Sequence, residues 1–67
     1  MRTALKAARK SAGYTQFQMA VILGVSQQTV SKYEKAVITP SHFRIIREYE
    51  RLLGVRAEQL FPDVFCW

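Results

Sequence analysis

Residues 15–34 read TQFQMAVILGVSQQTVSKYE, and this stretch decides the fold of the 67-residue chain because it contains two short helical patterns that meet at Gly24. Each pattern places apolar residues at the spacing of one helix face, which are Met19, Ala20 and Leu23 in the first and Val30 and Tyr33 in the second. Glycine takes the left-handed conformation of a sharp turn without steric cost. The stretch therefore predicts two helices joined by a tight turn at Gly24.

The starts of both helices carry capping signals. Thr15 with Gln18 three residues later predicts a capping box at the first helix, and Ser26 is the N-cap candidate of the second. Ala20 is small enough to let the second helix cross the first at a steep angle. Together these features predict a helix-turn-helix unit over about residues 16–34.

The outward side of the second helix is polar and uncharged or positive. It offers Gln27, Gln28, Ser31 and Lys32. Glutamine pairs bidentately with adenine and lysine with guanine acceptors, so this face suits a major groove of DNA. The alternative is an ordinary corner between two helices whose polar face is simply solvated.

Size and charge narrow the choice of function. A chain of 67 residues is predicted to form one domain, 1–67, and a net charge of +5 with a pI near 9.9 favours a polyanionic partner. The sequence has no run of about 18 apolar residues that would span a membrane, and its charged N-terminus lacks the apolar centre of a secretion signal. The single cysteine, Cys66, cannot form an internal disulfide, so the predicted compartment is the reducing cytoplasm.

The rest of the chain predicts three further helices and no strand. The first helix covers residues 2–12 with an inward stripe of Leu5, Ala8 and Ala12, and its basic residues (Arg2, Lys6, Arg9, Lys10) contribute to a positive pole. The fourth begins at Thr39 as N-cap with Pro40 at its first position, has a stripe of Phe43, Ile46, Tyr49 and Leu53, and ends at Gly54. The fifth covers residues 57–61 and stops at Pro62. The predicted fold class is all-α, a compact five-helix bundle.

Laid out in this way, the chain resembles the XRE, or Cro/cI-type, helix-turn-helix regulators, the group of the lambdoid phage repressors. The resemblance runs from about Leu5 to Phe61 and rests on residues 15–35, on the Thr-Pro-Ser at 39–41 and on LLGVRAEQLFP at 52–62. It implies a small transcriptional regulator, most typically a repressor. Such a protein binds a double-stranded DNA operator in a sequence-specific manner as a homodimer, with half-sites about 34–36 Å apart.

The resemblance also implies roles for matching residues. Base edges would be read by Gln27, Gln28 and Lys32, with Ser26 and Ser31 supporting the recognition helix. Gln16, at the start of the second helix, would contact a DNA phosphate, aided by the exposed N–H groups of that helix. Arg9 and Glu34 match a structural ion pair that joins the first helix to the third.

Three departures from the family pattern alter these expectations. Family members often have glycine where Ala36 stands, so a left-handed residue there would carry strain of about 1 kcal/mol. The next residues, 37–38, are apolar where polar side chains usually approach the DNA backbone. Phosphate contacts are therefore expected from Lys35, Ser41, His42 and Arg44. The second helix bears Phe17, Val21 and Ile22 at positions that are commonly charged.

The tail over residues 62–67 is unusually apolar. Phe65 and Trp67 are predicted to fold back over apolar surface or to pair across a two-fold axis, with a frayed terminus as the alternative.

The sequence predicts neither an enzyme nor a metal or cofactor site. Its only histidine, His42, and its only cysteine, Cys66, have no recognisable ligand spacing, and no nucleophile and base occur together in a known pattern. Two rivals to sequence-specific DNA binding stay open. One is a protein-interaction module on the same fold, such as an antitoxin or an anti-repressor, and the other is a nonspecific nucleic-acid binder driven by charge.

Overall fold

The computed structural model describes residues 1–65, which form five α-helices and no strand. The helices are α1 (Thr3–Ser11), α2 (Gln16–Leu23), α3 (Gln27–Glu34), α4 (Phe43–Leu53) and α5 (Ala57–Leu60). The predicted all-α class is confirmed. None of these helices in the described part is long and apolar enough to cross a bilayer.

The turn between α2 and α3 has the predicted local structure. The Thr15 hydroxyl accepts a hydrogen bond from the Gln18 N–H at 3.0 Å, and the Gln18 side chain accepts one from the Thr15 N–H at 2.9 Å, which completes the capping box. Gly24 has a φ of +74°, in the left-handed region. Ser26 caps α3 through a bond from the Thr29 N–H at 3.1 Å.

The core lies where the inward faces of all five helices meet. It contains Leu5 from α1, Met19, Ala20 and Leu23 from α2, Val30 and Tyr33 from α3, Ile45, Ile46 and Tyr49 from α4, and Ala57, Leu60 and Phe61 from the C-terminal part. Edge-to-face contacts join the rings of Tyr33, Tyr49 and Phe61, an arrangement that aromatic quadrupoles favour. The apolar side of α3 is thus anchored in the core.

The predicted inward stripe of α1 was wrong at Ala12. The helix ends at Ser11, Gly13 turns the chain with a φ of +84°, and Ala12 is exposed. Tyr14 packs against the core after this turn. The local end of the helix therefore interrupts the periodicity before Ala12.

The predicted start of α4 was also wrong. The helix begins at Phe43, and His42 occupies the N-cap position without a side-chain cap. The hydroxyl of Thr39, predicted as the cap, accepts a hydrogen bond from Arg2 at 2.8 Å. The buried side of α4 consists of Ile45, Ile46 and Tyr49, whereas Phe43, predicted to face inward, is 64 % exposed.

Arg2 does not belong to a positive pole, because it is only 3 % exposed. Its guanidinium lies among the C-terminal end of α3, the connector over residues 35–42 and Asp63. The sequence pattern predicted an exposed base, and the structure has a buried one.

The last described residues pack back onto the fold. The N–H of Ala57 donates to the Glu50 carboxylate at 2.7 Å, so α4 supplies the cap that Arg56 cannot offer to α5. Phe65 is partly buried against the core, as predicted for that ring. The corresponding predictions for Cys66 and Trp67 lie outside the described residues.

Candidate nucleic-acid interface

The two sides of α3 differ sharply in exposure. Val30 and Tyr33 are buried, whereas Gln27, Gln28 and Lys32 are exposed and Ser31 is half-buried. The exposed side therefore carries amide donors and acceptors and one ammonium group. We call this side, made of Gln27, Gln28, Ser31 and Lys32, the α3 face.

The start of α3 is held by two hydroxyls. Ser26 Oγ accepts the Thr29 N–H and lies 2.8 Å from Thr29 Oγ1. Ser26 is therefore engaged in the cap, and Thr29 is a supporting residue that the sequence reading missed. The spacing of two hydroxyl residues three apart at a helix start was the signal available for it.

The end of α3 is held by a buried ion pair that reaches α1. Arg9 Nε donates to Glu34 Oε2 at 2.5 Å, and the two side chains are 7 % and 2 % exposed. Arg9 Nη1 donates to the Tyr14 carbonyl at 2.8 Å, and Gln16 Nε2 donates to Glu34 Oε1 at 3.1 Å. These bonds connect α1, the first residue of α2 and the last residue of α3.

The other predicted phosphate contacts stand apart from this network. Lys35, Ser41, His42 and Arg44 are all exposed. No side-chain hydrogen bond of residues 1–65 joins any of the four to Gln16 or to another of the four. Arg44 instead lines an open groove along α4 together with Arg47, Glu48 and Arg51.

Charge is unevenly compensated over the surface. Three of the ten Lys and Arg side chains form ion pairs within the described residues, and these are Arg2 with Asp63, Arg9 with Glu34, and Arg51 with Glu48. The hydrogen bond from Arg51 lowers the pKa of the Glu48 carboxyl. No carboxylate of the described part lies within 4.0 Å of Lys32 or Lys35, so both ammonium groups are available to an anion.

A second kind of surface covers the outer side of α2. Phe17, Val21 and Ile22 are 62 %, 65 % and 41 % exposed. With Tyr14 and Gln18 they line a shallow groove of about 290 Å³. We call Phe17, Val21 and Ile22 the α2 patch.

The described residues offer no metal centre. Within residues 1–65, no three His, Cys, Asp or Glu side chains come together as a set of metal ligands. Each carboxylate of an ion pair faces an arginine instead, and Glu50 faces a backbone N–H.

Comparison with known proteins gives a family for this arrangement. A protein-family model described as helix-turn-helix matches residues 5–60, which include α1 to α5 almost entirely. No curated protein and no solved structure matches the chain.

Proposed function

The chain belongs to the XRE-type helix-turn-helix family of DNA-binding transcription regulators, and from this premise we propose that it is a repressor that reads the major groove with α3. The observation that carries the proposal is the division of α3 into a buried apolar side and an exposed glutamine and lysine side. A helix anchored in this way presents its polar side to the groove without losing core contacts.

In this proposal, the base edges are contacted by Gln27, Gln28 and Lys32. Glutamine amides match the N6 and N7 groups of adenine, and the lysine ammonium matches the O6 and N7 acceptors of guanine. Ser26 and Ser31 support the helix, the former through its cap. The buried Arg9–Glu34 pair keeps α3 in place, and removal of one partner of such a pair costs about 3–5 kcal/mol.

Phosphate binding is assigned to the start of α2 and to residues from the end of α3 to the start of α4. The Gln16 amide group has two hydrogens, and its bond to Glu34 uses one of them. The second is then available to a phosphate oxygen, next to the first N–H groups of α2. Lys35, Ser41, His42 and Arg44 supply the remaining contacts.

The protein would act as a homodimer on its operator. Two copies related by a two-fold axis place their α3 helices in successive major grooves, about 34–36 Å apart, which requires a palindromic site. Repression follows when the bound dimer excludes polymerase from the same DNA.

The α2 patch favours a second candidate function, protein interaction. Its three exposed apolar residues form a larger continuous apolar area than an isolated surface side chain does. An antitoxin or anti-repressor would use such an area to bind its protein partner.

Selection of bound sites from a random duplex library, followed by titration at two salt concentrations, separates these functions. A sequence-specific dimer yields a palindromic site and binds it more tightly than random DNA. A nonspecific binder shows the same salt slope on both, near 0.9 per phosphate neutralised. A protein that acts only through the α2 patch enriches no sequence and binds neither duplex.

Gln28→Ala tests the base-reading role. We expect it to weaken binding to the selected site by about 1–3 kcal/mol and to relax the choice at one base pair. Gln59→Ala, the same change at an exposed position of α5, is the matched control and should leave the affinity and the base-pair preference unchanged. Equal losses on selected and random DNA would contradict base reading by Gln28.

Lys35→Ala tests the phosphate role. We expect it to weaken all sequences alike and to reduce the salt slope by about one. Lys10→Ala removes the same charge from an exposed position of α1 and controls for net charge. A loss confined to the selected sequence would contradict a backbone contact at Lys35.

A further inference from the structure

Arg2 uses its whole hydrogen-bonding capacity inside the protein. Its Nε and Nη2 donate to the two Asp63 carboxylate oxygens at 3.0 and 2.8 Å, and Nη2 also donates to Thr39 Oγ1 at 2.8 Å. Its Nη1 donates to the carbonyls of Tyr33 and Ile38 at 2.7 and 2.8 Å. A guanidinium has five N–H groups, so every one has an acceptor.

The partners of Arg2 come from segments that are far apart in sequence but meet at the end of α3. Tyr33 is in the last turn of α3, Ile38 and Thr39 lie in the connector, and Asp63 follows α5. The backbone N–H of Arg2 also donates to the Glu34 carbonyl at 2.8 Å. The last carbonyls of a helix carry partial negative charge, so a cation placed there stabilises them.

Among the described residues, the backbone hydrogen bonds that the connector donates come only from residues 35–38, and all of them return to α3. Ala36 has a left-handed φ of +60°, and the N–H groups of Val37 and Ile38 both reach back to the Lys32 carbonyl, at 3.0 and 3.5 Å. Lys32 thus accepts both bonds, Lys35 lies within the turn that they close, and both lysines belong to the proposed DNA-binding surface. The position of both lysines therefore depends on how the end of α3 and the connector are held.

We propose that Arg2 is a positioning residue for DNA recognition: together with Asp63 it fixes the end of α3 and the connector, and so sets the sequence specificity without touching DNA. The inference rests on the proposed function of α3. It assigns a role to a buried arginine and to an acidic residue beyond the last helix, neither of which belongs to the α3 face.

Arg2→Lys is the principal test, because it keeps the charge and removes the fork that binds Asp63 in a bidentate manner. Arg51→Lys is the matched control, since Arg51 forms the same kind of bidentate pair with Glu48 at the exposed surface of α4. Binding to the selected duplex and to random DNA is measured well below the melting temperature of each variant. Amide hydrogen exchange at residues 36–38 is measured in parallel.

We expect Arg2→Lys to lower the ratio of specific to nonspecific affinity about two- to thirtyfold, with an unchanged nonspecific salt slope. Exchange at residues 36–38 should become faster, and Arg51→Lys should change neither quantity. Asp63→Asn should act in the same direction as Arg2→Lys, and combining the two should add little, because both disrupt one interaction.

Two results would overturn the proposal. An unchanged specificity ratio in folded Arg2→Lys would show that Arg2 does not set recognition, and unchanged amide exchange at residues 36–38 would show that Arg2 does not hold the connector. If Arg2→Lys does not fold, Asp63→Asn decides by the same measurements. If the native protein selects no sequence, the proposed function fails, and exchange at residues 36–38 alone then supports or refutes the positioning role.

Discussion

Replacement of Ala36 by glycine should stabilise the protein, although glycine is the more flexible residue. Ala36 is the only residue other than glycine with a positive φ in the described part of the chain, at +60°. A side chain with a Cβ pays about 1–2 kcal/mol in the left-handed conformation because its Cβ approaches the following carbonyl oxygen. Glycine has no such contact, so Ala36→Gly removes this cost from the folded state.

The unfolded state reduces the gain. Glycine makes the unfolded chain more flexible than alanine does, which lowers stability by about 0.4–1 kcal/mol. The difference between the two effects leaves a net gain of about 0.5–1 kcal/mol, which for a chain of this size raises the melting temperature by about 3–6 °C.

Urea denaturation and thermal melting measure this gain, with Ala7→Gly as the control. Ala7 is exposed in the middle of α1, where the same substitution should lower stability by about 1 kcal/mol. One chemical change is therefore expected to have opposite signs at the two positions. A lower urea midpoint for Ala36→Gly than for the native protein would refute the reasoning that the backbone is strained there.

Three further predictions concern the core, the last helix and the tail. The Tyr49 hydroxyl is buried with no hydrogen-bond partner in the described part, and burial raises the pKa of Tyr49. Tyr49→Phe should therefore leave the urea midpoint unchanged or raise stability by about 1 kcal/mol. A clear loss of stability would reveal a hydrogen bond that the hydroxyl makes. Glu50→Ala removes the acceptor for the Ala57 N–H and should cost about 1 kcal/mol, whereas Glu50→Gln keeps an acceptor and should cost less in the same titration. The hydrogen bond from Arg2 holds the pKa of the Asp63 carboxyl below its ordinary value of 3.8. The stability that ionised Asp63 contributes is therefore present above pH 3.8 and is lost as the pH falls through the pKa of Asp63 in the folded protein. The difference in melting temperature between native protein and Asp63→Asn should therefore shrink from about pH 5 downward, and a difference independent of pH would contradict this assignment.

The features that local sequence signals predicted correctly are those set by near neighbours, whereas the Arg9–Glu34 pair, 25 residues apart, was implied only by the family resemblance. The capping box joins Thr15 to Gln18, the second cap joins Ser26 to Thr29, and Gly24 adopts its left-handed turn alone. Each depends on residues within one helical turn, so spacing alone is sufficient to find it. The bounds of α2 followed directly from these signals.

The start of α4 could not be predicted in the same way. Thr39 followed by Pro40 has the composition of a helix start, but the Thr39 hydroxyl binds Arg2, from a distant part of the sequence. A capping side chain that has another partner no longer favours the helix over the extended connector. The cap of α5 was missed for a related reason, since Glu50 comes from the preceding helix.

The residues on the buried side of α1 explain why hydrophobic periodicity failed to predict that side correctly. Leu5 and Arg9 are its buried residues, and the buried N-cap residue Arg2 precedes them at the spacing of the same helix face, so a leucine lies between two arginines. Both arginines reach the end of α3, Arg2 through the Tyr33 and Glu34 carbonyls and Arg9 through the Glu34 carboxylate. Hydrophobic periodicity treats arginine as a surface residue and cannot find such a face.

The use of arginine at these positions has a consequence for charge at the surface. Every ion pair of residues 1–65 is formed by an arginine, whose planar fork binds a carboxylate and carbonyls at once, whereas lysine is a compact, strongly hydrated charge. Lys10, Lys32 and Lys35 all remain exposed. Basic residues thus occupy two kinds of position in this small fold. The buried Arg2 and Arg9 bond to the end of α3, whereas Lys32 and Lys35 are exposed and supply the DNA-binding charge in the proposed function.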